Sequence, residues 1–228
     1  MKTFIVAAAA LLVATPLMAQ ERGGPDARGY VMGLGGFSVS TGSSTGNSLL
    51  EGGIRVAPHV MVFGNLGRFG NLQGDLQPTL DATTASLATN QGLDVTSTGT
   101  LPATYGLGGV RLEMPIGSHL MPYVLGGIGI ARLNPSAHIT YSSGIMPDGS
   151  TPDVGTDITT QIVTTGAFTN PPSSTARLAT LGGGVQIPLA QHWVVDAGYR
   201  YSRIAADTTL SAGALNTNGM TFGFGYRF

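Results

Sequence analysis

From Gly29 onward, apolar and polar residues alternate with a period of two in segments of about ten residues. The clearest is the last. Met220, Phe222, Phe224, Tyr226 and Phe228 occupy every even position, and Thr221, Gly223, Gly225 and Arg227 every odd one. A strand with that pattern has one aromatic face and one small or charged face. The same reading predicts eight strands: Gly29–Ser40, Ser48–Ala57, Val60–Gln73, Ala103–Pro115, Leu120–Tyr141, Ser174–Pro188, Trp193–Asp207 and Leu215–Phe228. Each is long enough for a tilted membrane strand, which needs about 9–11 residues.

The connections alternate too. Thr41–Asn47, Gly74–Pro102, Ser142–Ser173 and Thr208–Ala214 are polar loops. Pro58-His59, Ile116–His119 and Leu189–His192 are tight. Long connections on one side and short turns on the other are the rhythm of a closed transmembrane barrel. The turns share a pattern: Gly, a branched apolar residue, a long polar one, an apolar one, then Pro shortly before His. Within the long loops, Asp81 is placed to cap a short helix through Leu87. Pro147-Asp148-Gly149-Ser150 marks a turn in a hairpin that projects beyond the membrane.

Parity assigns the faces. Leu50, Ile54 and Val56 alternate with Glu51, Gly53 and Arg55; Val110 and Leu112 with Arg111 and Glu113; Val195, Ala197, Tyr199 and Tyr201 with Asp196, Gly198, Arg200 and Ser202. An arginine facing lipid at mid-membrane costs about 2–4 kcal/mol. The charged set is therefore expected inside, so that Glu51, Arg55, Arg111, Glu113, Asp196, Arg200 and Arg227 converge. Eight strands enclose a space that side chains just fill, and buried charges must pair. The expectation is a lumen filled by salt bridges. Tyr30, Tyr123, Trp193, Tyr226 and Phe228 fall near one set of strand ends, and Phe37, Phe69, Tyr105, Tyr141 and Phe222 near the other. They are expected to form two interfacial aromatic girdles.

Composition sharpens this picture. Charged residues are 10% and glycine is 35 of 228, against about 25% and 7% in soluble domains. Net charge is −1, which offers nucleic acid no electrostatic hold. There is no cysteine, so disulfides, thiolate metal sites and a lipoprotein anchor are excluded. Lys2, the apolar run Phe4–Val13 and the small residue Ala19 have the layout of a signal peptide cut after about Ala19. The predicted organisation is a signal peptide over 1–19, a polar leader over 20–28 and a barrel over 29–228.

With its signal peptide, eight strands, alternating connections and the ending Phe222-Gly223-Phe224-Gly225-Tyr226-Arg227-Phe228, the mature chain resembles the small OmpA/OmpX-type outer-membrane β-barrel family. The resemblance implies an all-β, closed, eight-stranded, antiparallel up-and-down transmembrane barrel in a Gram-negative-type outer membrane. It implies that Phe222, Phe224, Tyr226 and Phe228 form the signal read by the barrel-assembly machinery. It also implies outer-membrane lipid as surroundings, a monomer, and an extracellular ligand or surface at the loops. No peptidoglycan-binding role is carried over, because the chain stops at Phe228.

Chemistry is sparse. His59, His119 and His192 sit in separate turns, too far apart on a barrel rim to share a metal, and His138 stands alone near an outer loop. The His-x-Ser pattern of outer-membrane deacylases is missing, as are Gly-x-Ser-x-Gly and zincin motifs. No catalytic, cofactor-binding or metal residue is expected. The functional expectation is a structural or surface-interaction barrel. Two alternatives stay open: a narrow pore for small solutes, and a soluble periplasmic, lipocalin-like barrel with its aromatic faces inward.

Overall fold

A computed structural model describes residues 27–40, 43–72, 76–116, 120–205 and 213–228. The expected signal peptide and most of the leader lie outside them. Among the described residues the strands are β1 (Gly29–Ser40), β2 (Ser43–Ala57), β3 (Val60–Phe69), β4 (Asp94–Thr100), β5 (Ala103–Glu113), β6 (Met121–Leu133), β7 (Ser136–Ser143), β8 (Ser174–Pro188), β9 (Trp193–Ala205) and β10 (Leu215–Arg227). The helices are α1 (Leu76–Gln91) and α2 (Thr159–Thr164).

Eight strands close antiparallel in the order β1-β10-β9-β8-β6-β5-β3-β2. The register that starts at Tyr30 passes Gly53, Phe63, Gly109, Gly127, Thr180, Ser202 and Thr217. It returns to β1 at Ser40, from residue 30 to residue 40, a stagger of ten. A stagger of that size tilts the strands, and it sets how far each row climbs around the wall. The last residue completes the seam: the Phe228 carbonyl accepts from the Arg28 and Gly29 amides at 2.6 and 2.9 Å, and its own amide donates to the Gly29 carbonyl at 3.0 Å.

The outward face is apolar, with Leu50, Ile54, Leu66, Val110, Leu112, Ile128, Ile130, Leu181, Phe222 and Phe224 all exposed. The interior is layered. At the end bearing the long connections, Phe69, Leu72, Leu101, Ala103, Leu133, Leu178, Ile204 and Leu215 are buried together. Leu72 belongs to this layer because the chain leaving β3 bends over it. The Leu72 amide donates to the Leu101 carbonyl at 2.9 Å, and the Ser40 hydroxyl donates to the Leu72 carbonyl at 3.3 Å. Ionisable and tyrosine side chains lie below.

The expected fifth strand, Leu120–Tyr141, breaks into β6 and β7 at Asn134-Pro135, because Pro135 has no ladder donor. β4 and β7 pair with each other, from Thr100↔Ser136 to Asp94↔Ser143. They prolong the β5–β6 ribbon beyond the barrel. Two residues lie between Thr100 and Ala103 and two between Leu133 and Ser136, an even number on each strand, so the parity survives the break. Val95, Gly99, Ala137, Ile139 and Tyr141 lie on the face continuous with the lumen, and α1 packs there through Leu76, Leu80 and Leu87. Glycine at 99 is needed, because a Cβ would meet Leu80 at 2.9 Å and Leu76 at 3.0 Å.

Other expectations need correcting. The helix begins at Leu76 rather than at Asp81, which lies within the helix and accepts from the Gln77 side-chain amide at 2.8 Å. It ends at Gly92, whose φ of 61° turns the chain so that the Leu93 amide reaches the Leu87 carbonyl at 3.3 Å. β2 starts at Ser43, so most of the expected loop Thr41–Asn47 is strand paired with β1. β3 stops at Phe69. Where the second arm of the expected outer hairpin would run, Thr159–Thr164 is α2, although the Ile158 amide still bonds the Ile139 carbonyl at 2.8 Å. The turn at 147–150 is present, closed by the Gly149 amide on the Met146 carbonyl at 2.8 Å.

The outer module has a core separate from that of the barrel. Leu80→Ala should cost it about 2–5 kcal/mol and open residues 76–100 to limited proteolysis. The barrel should keep its anomalous unheated gel mobility. Loss of both together would show that the two cores are one cooperative unit.

Candidate functional site: the charged lumen and the outer loops

Arg111 lies at the centre of the lumen, fully buried. It reaches Glu51 at 3.5 Å, Glu113 at 3.3 Å and Asp196 at 3.7 Å. Arg200 Nη2 is 2.8 Å from Glu51 Oε2. Arg227 donates to Glu113 at 2.6 Å and lies against the sulfurs of Met61 and Met121. Arg55 approaches Glu113 at 3.6 Å from the tight-turn end. All seven expected ionisable residues are thus brought together, four cations around three carboxylates. The register explains it: Glu51 is opposite Asn65, Arg111 opposite Met61, and Asp196 opposite Gln186, all on inward positions.

Two residues expected at an aromatic girdle belong here instead. Tyr30 and Tyr123 are buried. Tyr30 donates to Glu51 at 2.9 Å and Tyr123 to Asp196 at 2.9 Å. The Arg111 guanidinium lies between their rings, 5.0 Å from the centre of Tyr30 and 3.5 Å from that of Tyr123. A desolvated cation over such faces gains about 2 kcal/mol. The cause is again register. Tyr30 is opposite Arg227 and Tyr123 opposite Glu113, and cross-strand partners share a face. Room for the rings comes from glycine: a Cβ at Gly53 would meet the Tyr30 ring at 2.6 Å, and one at Gly198 would meet the Tyr123 hydroxyl at 2.6 Å. Phe69 and Tyr105 also point inward, stacked at 4.8 Å, and Tyr141 is buried in the outer module. Asn65, which donates to Glu51 at 3.4 Å, was missed because a lone asparagine carries no parity signal.

Trp193 does face outward. It stacks on Phe224 at 4.9 Å and meets Tyr226 edge-on at 5.4 Å. Phe222, Phe224 and Tyr226 share this face, and Phe228 is half-buried. Between the charged and apolar layers is a cavity of about 10 Å³ lined by Ser38, Asn47, Asn65, Thr180, Ser202 and Thr217 among others. That is room for about one water.

His138 is not alone. Its Nδ1 is 2.9 Å from Asp157 Oδ2, and its Nε2 is 3.4 Å from Ser136 Oγ. Asp157 Oδ1 also accepts from the Thr159 amide at 2.9 Å and from its hydroxyl. The order resembles a nucleophile, base and orienter. However, the His138 and Asp157 side chains are 62% and 52% exposed, and water screens the charge such a group must stabilise. The bond from His138, then those from Thr159, hold the Asp157 carboxyl down at about 2 from its ordinary 3.8. His59 and His192 lie at separate turns, and His119 lies outside the described residues. No group of three metal-ligating side chains occurs among the described residues.

A closed eight-stranded antiparallel barrel, apolar outside and ionic inside, defines the class of small outer-membrane β-barrel proteins. The chain matches the family described as "Outer membrane protein beta-barrel domain" over residues 4–228, and it belongs to that family. Its fold is similar to that of Neisserial surface protein A, at 13% identity and a TM-score of 0.55, covering 88% of this chain and 97% of that one. Ail of Yersinia pestis is 15% identical, with a TM-score of 0.46 over 88% and 97% of the two chains. The N-terminal barrel of Pseudomonas aeruginosa OprF is 11% identical, with a TM-score of 0.44 over 90% and 99%. At these identities the likeness concerns fold alone, and the first structure carries it. No curated protein matches in sequence.

Arg111→Met should destabilise the folded barrel by about 3–5 kcal/mol, since it strands carboxylates in a dry interior. Urea unfolding in detergent measures this, and a loss below 1 kcal/mol would show that water reaches the site. The outer loop offers a pH test. Asp157 has a folded pKa below its unfolded one, so its contribution is complete above about pH 4 and is lost as pH falls toward 2. Proteolysis of residues 142–173 by an acid-tolerant protease should rise across that window, and Asp157→Asn should remove the step.

Proposed function

We propose that this protein is an integral outer-membrane barrel that does not conduct, and that it serves as a rigid mount for an outer module that makes surface contacts. The observation that carries this reading is the two-layered interior: an apolar layer at the outer mouth above an ionic network. An ion moving through would have to cross a dry constriction as well as displace paired charges. The apolar outer wall favours lipid over a soluble periplasmic barrel, whose aromatic faces would point inward. The assembly-signal role of Phe222, Phe224, Tyr226 and Phe228 is part of the same reading. So are export through residues 1–19, a monomeric barrel and the absence of catalysis.

The contact surface is the outward face of the β4–β7 sheet. There Thr96, Thr98 and Thr100 lie opposite Thr140, His138 and Ser136. Hydroxyls beside the His138–Asp157 pair, on a sheet with its own core, suit a polar partner met outside the cell.

Planar bilayers decide between mount and pore. The purified chain should give no ion current, and Glu51→Gln with Arg111→Gln should stay silent because the apolar layer remains. Steady current from the unmodified protein would establish the pore. Extraction by alkaline carbonate would establish the soluble barrel instead. Phe224→Arg should lower the assembled, heat-modifiable fraction in cells at least ten-fold, while Phe224→Leu should keep it.

A further inference from the structure

Four arginines face away from the lumen, and all lie near the outer ends of their strands: Arg68 on β3, Arg132 on β6, Arg177 on β8 and Arg203 on β9. All four are exposed, and none forms an ion pair among the described residues. Each is the next outward position beyond the apolar wall. Arg68 follows Leu66, Arg132 follows Ile130, Arg203 follows Tyr201, and Arg177 stands above Ala179 and Leu181.

The barrel's stagger places them at one level. Arg68, Thr104, Arg132 and Thr175 form a single row of the register. Such rows climb toward the outer end by about one residue per strand from β3 to β9. Arg177 lies two positions below Thr175 on β8, and Arg203 two positions below the partner of Arg177, Ala205, on β9. Those downward steps offset the climb. The four guanidiniums therefore form a belt along five adjacent strands, with the Thr104 and Thr175 hydroxyls between them. The remaining arc is uncharged at this level: Asn216 and Asn218 on β10, Val39 on β1 and Ser48 on β2.

We infer that this arc binds phosphate-bearing lipid headgroups of the outer leaflet, so that the barrel carries a one-sided collar of anionic lipid. Guanidinium forks match phosphate oxygens. The belt stands where the apolar wall ends, which is where a lipid places its phosphate. The inference rests on the membrane-spanning reading above.

The test uses the full chain refolded in phosphatidylcholine vesicles holding a minority of phosphatidic acid, with spin-labelled forms of both lipids reporting the first lipid shell. Unmodified protein should prefer phosphatidic acid by at least about five-fold, the scale of one surface arginine. Changing Arg68, Arg132, Arg177 and Arg203 together to Gln should remove the preference, and each single change should remove part of it. Arg28→Gln, at the opposite end of the barrel, should leave it intact. Equal association of the two lipids with unmodified protein overturns the inference, whether or not the variants fold. So does a preference that survives the fourfold change. Loss of the preference on adding inorganic phosphate at constant ionic strength would assign the arc to a free anion and overturn the lipid reading. Gel mobility without heating separates the failures. A compact barrel with no lipid preference sinks only this inference, whereas a barrel that never becomes compact sinks the membrane reading.

Discussion

The buried guanidinium of Arg111 is the constraint around which the lower half of the barrel is arranged. A charge removed from water costs several kcal/mol unless its surroundings replace what water supplied. Here three carboxylates and two tyrosine rings do so. The same carboxylates hold Arg200, Arg227 and Arg55, so removing any member leaves others uncompensated. The network joins β1, β2, β3, β5, β6, β9 and β10, and it couples wall strands that share no ladder.

Glycine and tyrosine solve one problem together. Each inward tyrosine needs a position without a Cβ on a nearby strand to make room for it. Tyr30 and Tyr123 fit because Gly53 and Gly198 stand where their rings and hydroxyls reach. The upper interior is built differently, from apolar side chains that include Phe69 and Leu72, the latter carried in by the chain that leaves β3. Ions below and hydrocarbon above close the lumen by two independent means. The ribbon that continues into the outer module shares its inward face with both cores.

Much of the fold was legible because parity in a strand is a local property. The eight wall segments, the outward aromatic face of β10 and the seven ionisable residues inside follow from period-two alternation and from the cost of charge in lipid. What failed was what parity does not carry. Tyr30 and Tyr123 are amphipathic and suit an interface or a lumen equally well. Their places are set by Arg227 and Glu113 across the register. Asp81 suits a cap by composition, but the helix starts earlier, where Leu76, Leu80 and Leu87 form a stripe against β4 and β7. His138 gained partners from residues 19 positions away and from the strand it stands on.

The sequence by itself determined an alternating chain with a charged inner face and an apolar outer one, because both follow from each residue and its near neighbours. Only the tertiary structure decided which strands meet, how far they stagger and which loops pair. Those are relations between distant residues. The break at Pro135, the β4–β7 sheet, the cradle around Arg111 and the level belt of Arg68, Arg132, Arg177 and Arg203 all depend on them.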